Sequence, residues 1–385
     1  MKILTDPQIY NSQVYGGISR YYTEVLSELD KKQGVKIEVP VLFTKNEYLK
    51  TSSLYKNKHS LKTVILNVLT KLGISTRKLV KKWNLQEIEK ALNEQNFDVF
   101  VCTYFDPYFL EYIKGKPYVL TVYDMIHELS PQYFTDGEEI ASNKLLLIKH
   151  AAKIIAVSHN TKKDILKIYP EIEASKIEVV YHGSSTKVND NKTVDLPNNY
   201  ILYVGIRNNY KNFKFLVESI TGLFAADETI YLICAGGGKF TKSETEFINK
   251  HNLTDRVIQK SFDEEELGQF YKNAKCFVFP SAYEGFGIPV LEAMACGCPI
   301  VLTNASSFPE VAGNAGIFYE PGNRTDLKDK IEWVIYNENV RAEYREKGLI
   351  QVQKFTWKHA AEQCYAIYKE AANHNNQLDL QTQHR

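Results

Sequence analysis

Two carboxylates, Glu284 and Glu292, sit with seven residues between them in the segment that runs from Ser281 to Pro299. A Gly-x-Gly step, Gly285 and Gly287, directly follows the first carboxylate. The apolar run Cys276 to Phe279 before it reads as a buried strand, and the stretch after Pro289 is helix-forming. Strand, tight glycine turn and helix start aim backbone N–H groups and the positive end of a helix dipole at an anion. Glu284 lies in the turn and Glu292 about one helical turn in, so both can face one bound molecule. Carboxylates beside an anion site suit a ligand that is part phosphate and part polyol. A nucleotide sugar has both parts.

Two cations stand four residues apart in Gly205-Ile206-Arg207-Asn208-Asn209-Tyr210-Lys211-Asn212, just after another expected strand. At a strand's carboxyl end, Arg207 and Lys211 could neutralise a diphosphate. The bland alternative is a solvated charge pair, and the expected nearness of the Glu284 turn favours the functional reading. Gly16 and Gly17 open a helix after the first strand, where glycines let the backbone approach a phosphate or sugar. A plain glycine turn fits them equally, and they do not form the G-x-G-x-x-G of an NAD site. His127, just beyond the strand Tyr118–Val122, could donate a hydrogen bond to substrate or leaving group. A lone histidine is more often structural, and Asp124 beside it is equally suited to capping the loop. Gly236-Gly237-Gly238 is a weaker signal: it turns the chain after a strand ending at Ala235.

The elements that must hold these groups alternate short β-branched or aromatic runs with longer amphipathic ones, as in a parallel α/β protein. Strands are expected at Lys2–Leu4, Ile37–Leu42, Val99–Thr103, Tyr118–Val122, Lys153–Val157 and Ile177–Tyr181, with helices at Ile18–Leu29 and Leu85–Gln95. A second series follows at Tyr200–Gly205, Ile230–Ala235, Val257–Lys260, Cys276–Phe279, Ile300–Leu302 and Gly316–Phe318. The expected organisation is a first α/β domain over 1–188, a polar linker over 189–199 and a second α/β domain over 200–354. A helix over 355–373 would pack back on the first domain, and the Asn/Gln-rich tail 374–385 is expected to be disordered. Two such Rossmann-like domains would face each other across a deep cleft that takes the ligand.

Composition narrows the partners. The chain has 385 residues and a net charge of +1, unlike the strongly basic footprint of a nucleic-acid binder. No run approaches the length of a membrane-spanning helix, the N-terminus enters a strand at once, and six scattered cysteines suit a reduced, cytoplasmic setting. No D-x-D appears near a strand end, so neither a metal nor any other cofactor is expected. One stretch departs from this balance: Thr44 to Lys90 holds eleven Lys/Arg against three Glu. Inside it, Val64 to Leu69 with Leu72 could form an amphipathic helix for an acidic lipid surface or a lipid-diphosphate acceptor. A solvated helix face over part of the core is as good a reading.

Together these residues resemble the retaining glycosyltransferases of family 4, over nearly the whole chain. The Tyr15 to Arg20 loop, the run from Pro280 to Ala293 and the terminal helix carry the resemblance, and the E-x7-E signature is its most specific part. Asp106 to Leu110 and Asp124 to Glu128 look like a bacterial subgroup that builds surface polysaccharides such as O-antigen or capsule, often from mannose-type donors. The resemblance implies the GT-B fold, with its C-terminal helix crossing back to the first domain. It implies that Glu284 touches donor-sugar hydroxyls near the reacting carbon, that the N–H groups of Gly285, Phe286 and Gly287 bind sugar hydroxyls, and that Glu292 holds the ribose. Arg207 and Lys211 would bind the diphosphate, and Gly17 would approach it from the other domain. Where many relatives have a histidine, this chain has Tyr123, and His127 is the nearest substitute.

The implied reaction moves a hexose from a nucleotide-diphosphate sugar to a saccharide or lipid-linked saccharide, with same-face attack and the leaving diphosphate taking the acceptor's proton. The enzyme would be metal-independent and cytoplasmic, with the basic 44–90 region as its peripheral contact with the inner membrane. Two rival readings are a non-catalytic nucleotide-sugar-binding protein and a nucleotide-sugar epimerase of the same fold. A phosphorylase is disfavoured by chain length, and an NAD enzyme by the missing fingerprint.

Overall fold

A computed structural model of the chain describes residues 1–56, 61–72, 75–207 and 209–383. The chain divides into two compact units, Met1–His182 together with the segment from Trp357, and Gly183–Thr356. The first unit holds β1 (Lys2–Thr5), β2 (Lys36–Glu38), β3 (Val99–Cys102), β4 (Tyr118–Val122), β5 (Lys153–Ala156) and β6 (Ile177–Val179). The second holds β7 (Tyr200–Val204), β8 (Tyr231–Ala235), β9 (Val257–Lys260), β10 (Cys276–Phe279), β11 (Ile300–Thr303) and β12 (Gly316–Tyr319). Each set forms one parallel sheet, ordered β2-β1-β3-β4-β5-β6 and β12-β11-β10-β7-β8-β9. Central strands such as β4 and β7 are buried at every residue, which is why they read as unbroken apolar runs rather than alternating ones.

All twelve expected strands are present. The largest boundary change is β2, which stops at Glu38 rather than Leu42. Pro40 lies inside the expected run and has no N–H to give to a ladder. The helix expected at Leu85–Gln95 begins a full two turns earlier, at Arg77.

The stretch 189–199 is not a free tether but lies along the second unit. Asp190 pairs with Lys272 at 2.7 Å, Lys192 with Asp263 at 3.1 Å, and Gln269 Nε2 donates to Asn189 O at 2.7 Å. The terminal helix Trp357–Gln383 belongs to the first unit, where it packs on the helix Gly17–Asp30. Tyr21 Oη lies 3.3 Å from Cys364 Sγ, and Ala361, Tyr368 and Ala371 are buried there. This helix continues past residue 373 to Gln383, because no glycine or proline stops it. The rest of the expected tail, 384–385, lies outside the described residues. All six cysteines are free and buried.

Candidate active site

In the second sheet the strand order reverses direction between β7 and β10, which pair in register at Ile201 with Cys276 and Leu202 with Phe277. Parallel α/β sheets bind ligands outside the carboxyl ends of the strands at such a switch point. Lys211 follows β7 and Glu284 follows β10. The structure brings them together: Lys211 Nζ donates to Glu284 Oε1 at 2.5 Å. Both side chains keep about a seventh of their surface exposed, at 14% each. The ammonium also lies 5.5 Å from the Phe279 ring centre and 4.9 Å from that of Tyr210. An ion pair seated on aromatic faces, partly withdrawn from water, is a strong local field for an anionic ligand.

The two loops are stitched as a unit. Ala282 N donates to Tyr210 O at 2.8 Å, and Asn212 Nδ2 donates to Pro280 O at 3.0 Å. The β10 loop is fixed from a third side by Ser306 and Ser307, which follow β11. Both hydroxyls donate to Glu284 O, Ser307 Oγ also donates to Phe286 O at 3.0 Å, and Glu284 N donates to Ser306 Oγ at 3.0 Å. Sequence reading missed these serines. Their place just past a strand's carboxyl end, beside the switch, was the available signal. Gly287, at φ +95°, then turns the chain into the helix Ile288–Ala295. Only glycine takes that backbone readily, and a Cβ there would meet the Phe308 ring at 3.2 Å. Phe286 is buried.

Glu292 sits in the fifth position of that helix and is buried. Tyr271 Oη donates to its Oε2 at 3.1 Å and Thr186 Oγ1 to its Oε1 at 3.4 Å. Burial, then the Glu292 charge, pushes the Tyr271 phenol well up, so it stays a proton donor. Neither partner is singled out by the sequence; Tyr271 lies in the helix Leu267–Asn273 and is buried.

Arg207 is placed differently from Lys211. Its side chain is only 2% exposed. Nε donates to Glu244 at 2.8 Å, Nη1 to Gly236 O at 3.2 Å, and Nη2 to Gly238 O at 2.9 Å and Lys239 O at 3.2 Å. A guanidinium has five N–H groups, so this set leaves it little to offer a ligand. Glu244 is also the third residue of the helix Lys242–Lys250, where it completes a capping box with Thr241. Arg207 therefore ties the loop after β7 to the glycine loop after β8.

The remaining candidates lie in the first unit. Gly16 is the N-cap of the helix Gly17–Asp30, and Gln13 Oε1 accepts from Ser19 N at 3.1 Å, capping the same helix end. His127 lies in the short helix Ile126–Leu129, buried, with its ring centre 4.4 Å from that of Phe134. Its Nδ1 has no hydrogen-bond partner among the described residues. Burial first, then Lys144, lowers its pKa, so the ring is neutral near pH 7. Beneath it, Lys144 Nζ donates to Glu128 at 2.9 Å and to Asp124 O at 3.0 Å, while Asp124 caps the turn at Ile126 N. Tyr123 points into a buried aromatic cluster with Tyr21 and Tyr22.

Among curated proteins, the chain is 30% identical over 177 residues to O-antigen chain mannosyltransferase B of Escherichia coli, covering 44% of this chain and 45% of that protein. It is 27% identical over 214 residues to O-antigen chain mannosyltransferase RfbU of Salmonella typhimurium LT2, covering 54% and 59%. The matched stretches thus span about half the length of these relatives. Among solved structures, Anabaena HepE in complex with UDP and glucose matches with a TM-score of 0.68 at 17% identity, covering 95% of this chain and 98% of that one. At that identity the likeness speaks for the fold, which is GT-B. The family model "Glycosyltransferase Family 4" matches residues 15–188 and "Glycosyl transferases group 1" matches residues 185–350, and with the two sheets and the E-x7-E turn these place the chain in that glycosyltransferase family.

Proposed function

We propose that this protein transfers a hexose, with mannose favoured, from a nucleoside-diphosphate sugar to a saccharide or lipid-linked saccharide in surface-polysaccharide assembly, with retention at the transferred carbon. The Lys211–Glu284 pair across the β7/β10 switch carries the reading. Resemblance to two O-antigen mannosyltransferases supports the sugar and the surface-polysaccharide setting.

As the glycosidic bond breaks, the diphosphate gains charge and the sugar becomes oxocarbenium-like. Lys211 and the helix start after Gly287 are fixed donors for that charge, and preorganised donors act strongly in a partly dry site. Glu284, held by Lys211 and the two serines, is placed to orient donor-sugar hydroxyls and to face the developing positive carbon. The N–H groups of Gly285, Phe286 and Gly287 would take further sugar hydroxyls, and Glu292 the ribose. The acceptor hydroxyl attacks from the leaving-group face and passes its proton to the departing diphosphate. Arg207 fixes the loop that carries Lys211, Gly16 and Gly17 offer a helix start toward the phosphates, and His127 serves the acceptor side. With Lys211 supplying the charge, turnover should persist in chelator.

A thermal-shift screen against GDP, UDP, ADP and their sugars tests the reading. A ligand at about a hundred times its Kd adds about 2.7 kcal/mol. One responding diphosphate fixes the donor class, and the anomeric NMR signal of the product then reports retention. No response to any of them would sink the proposal.

A further inference from the structure

The helix Leu61–Lys71 in the first unit turns apolar side chains both inward and outward. Inward, Leu66 is fully buried and Thr63 Oγ1 donates to Leu42 O at 2.9 Å, so this face anchors the helix to the unit. Outward, Val64, Ile65 and Val68, with Leu72 just past the helix end, are 49%, 44%, 51% and 69% exposed. At about 100° per residue these four fall within about a quarter-turn to a third of the helix circumference. They make one stripe that contributes nothing to the core. No other helix among the described residues exposes more than two large apolar side chains.

The charge around this stripe is equally uneven. Residues 44–90 carry eleven Lys/Arg and three Glu, a net of +8 in a chain whose total is +1. The following helix, Arg77–Glu94, opens with Lys78, Lys81 and Lys82 exposed and with no acidic partner among the described residues. We propose that this face docks on an anionic phospholipid bilayer, with the aliphatic stripe in the headgroup–acyl boundary and the lysines over the lipid charge. The chemistry favours lipid over protein. A second copy would bring like charge against like charge, and the stripe holds small aliphatics rather than the Trp, Tyr and Arg anchors of protein interfaces. No helix among the described residues is long and apolar enough to cross a membrane, so contact would be along the surface. This deepens the proposed function, since a lipid-linked acceptor lies at such a surface, yet docking can be tested without donor or turnover.

The test is vesicle co-sedimentation of the full chain. Binding is expected to phosphatidylglycerol-containing vesicles and not to pure phosphatidylcholine, and to weaken with salt. Ile65→Glu/Val68→Glu should abolish it. Lys78→Gln/Lys81→Gln/Lys82→Gln should weaken it by about a hundredfold, at about fivefold per lysine. All five positions are at least partly solvent-exposed, and an unchanged melting temperature confirms that the variants fold. Equal binding to neutral vesicles, no binding at all, or variants that bind like the parent would overturn the proposal. So would light scattering that shows a dimer converted to monomer by Ile65→Glu/Val68→Glu, since the stripe would then join two copies.

Discussion

The same structural position is filled in opposite ways in the two units. Both sheets are parallel and both reverse strand order, between β1 and β3 in the first and between β7 and β10 in the second. Each places a carboxylate there. In the first unit it is Asp6, fully buried, accepting from Thr103 N at 3.2 Å and from Gln8 Nε2 at 2.6 Å, while Gln8 also grips Asp106. No ion pair reaches Asp6 among the described residues, and burial pushes its carboxyl up to about 6. In the second unit the carboxylate is Glu284, partly exposed and paired with Lys211. Topology thus supplies a place for a ligand twice over. The cation and the access decide which place can act on one: Asp6 is closed off by its own chain, and Glu284 is open.

The largest effect should come from removing either half of the open pair. Lys211→Ala and Glu284→Gln are each expected to lower kcat by about a hundred- to a thousandfold, as for losing one preorganised transition-state donor. Asp6→Asn should leave turnover near the parent value. Steady-state kinetics on the three variants decides the point, and comparable losses in all of them would erase the distinction between the two switches.

Much of this was legible before any coordinates. Twelve strands were readable because buried parallel strands are continuous apolar runs, and Glu284 and Lys211 because charged residues just past such runs stand out. Arg207 and Lys211 looked alike in sequence, as two cations in one loop. Their difference depends on Glu244 and the carbonyls of Gly236 to Lys239, 29 to 37 residues away, whose convergence follows from packing and not from spacing. Ser306 and Ser307 were missed for the same reason. The run Val64 to Leu69 with Leu72 reads in the sequence as an amphipathic helix or as a solvated face over the core, and which of its apolar residues face out follows only from the burial of Leu66.

The second effect concerns the closed site. Asp6 has a native pKa of about 6 against an ordinary 3.8, so the folded state holds its proton more tightly than the unfolded chain. Its contribution to stability is therefore greatest below pH 4 and declines as pH rises to 6, by about 3 kcal/mol in all. His182 in the same unit has the opposite sign: burial pushes it down to about 3, so its contribution is full above pH 6.5 and lost toward acid. Whole-protein stability mixes the two slopes. The difference between Asp6→Asn and the parent isolates one of them, and it should shift in the variant's favour by about 2 kcal/mol between pH 4 and 6. Urea midpoints across that range measure it. A flat difference would mean that Asp6 is not the buried acid that distinguishes the first switch.

The smallest effect bears on what holds the open site in place. Gly237 and Gly238 are neighbours with nearly the same backbone, at φ +68° and +76°. Alanine at either pays the left-handed penalty, about 1 kcal/mol. Their surroundings differ. A Cβ on Gly238 meets nothing within 4 Å, whereas one on Gly237 would stand 2.4 Å from Gly205 O and 2.8 Å from Arg207 Nη1. Gly238→Ala should therefore lose about 1 kcal/mol and keep donor affinity. Gly237→Ala should lose about 2–3 kcal/mol and also weaken donor binding, because Gly205 begins the loop that delivers Lys211 to Glu284. Melting curves with and without nucleoside diphosphate separate the two outcomes. If both variants bind donor as the parent does, the Arg207 tie is not what positions Lys211. The open switch would then rest on the β10 loop and its two serines alone.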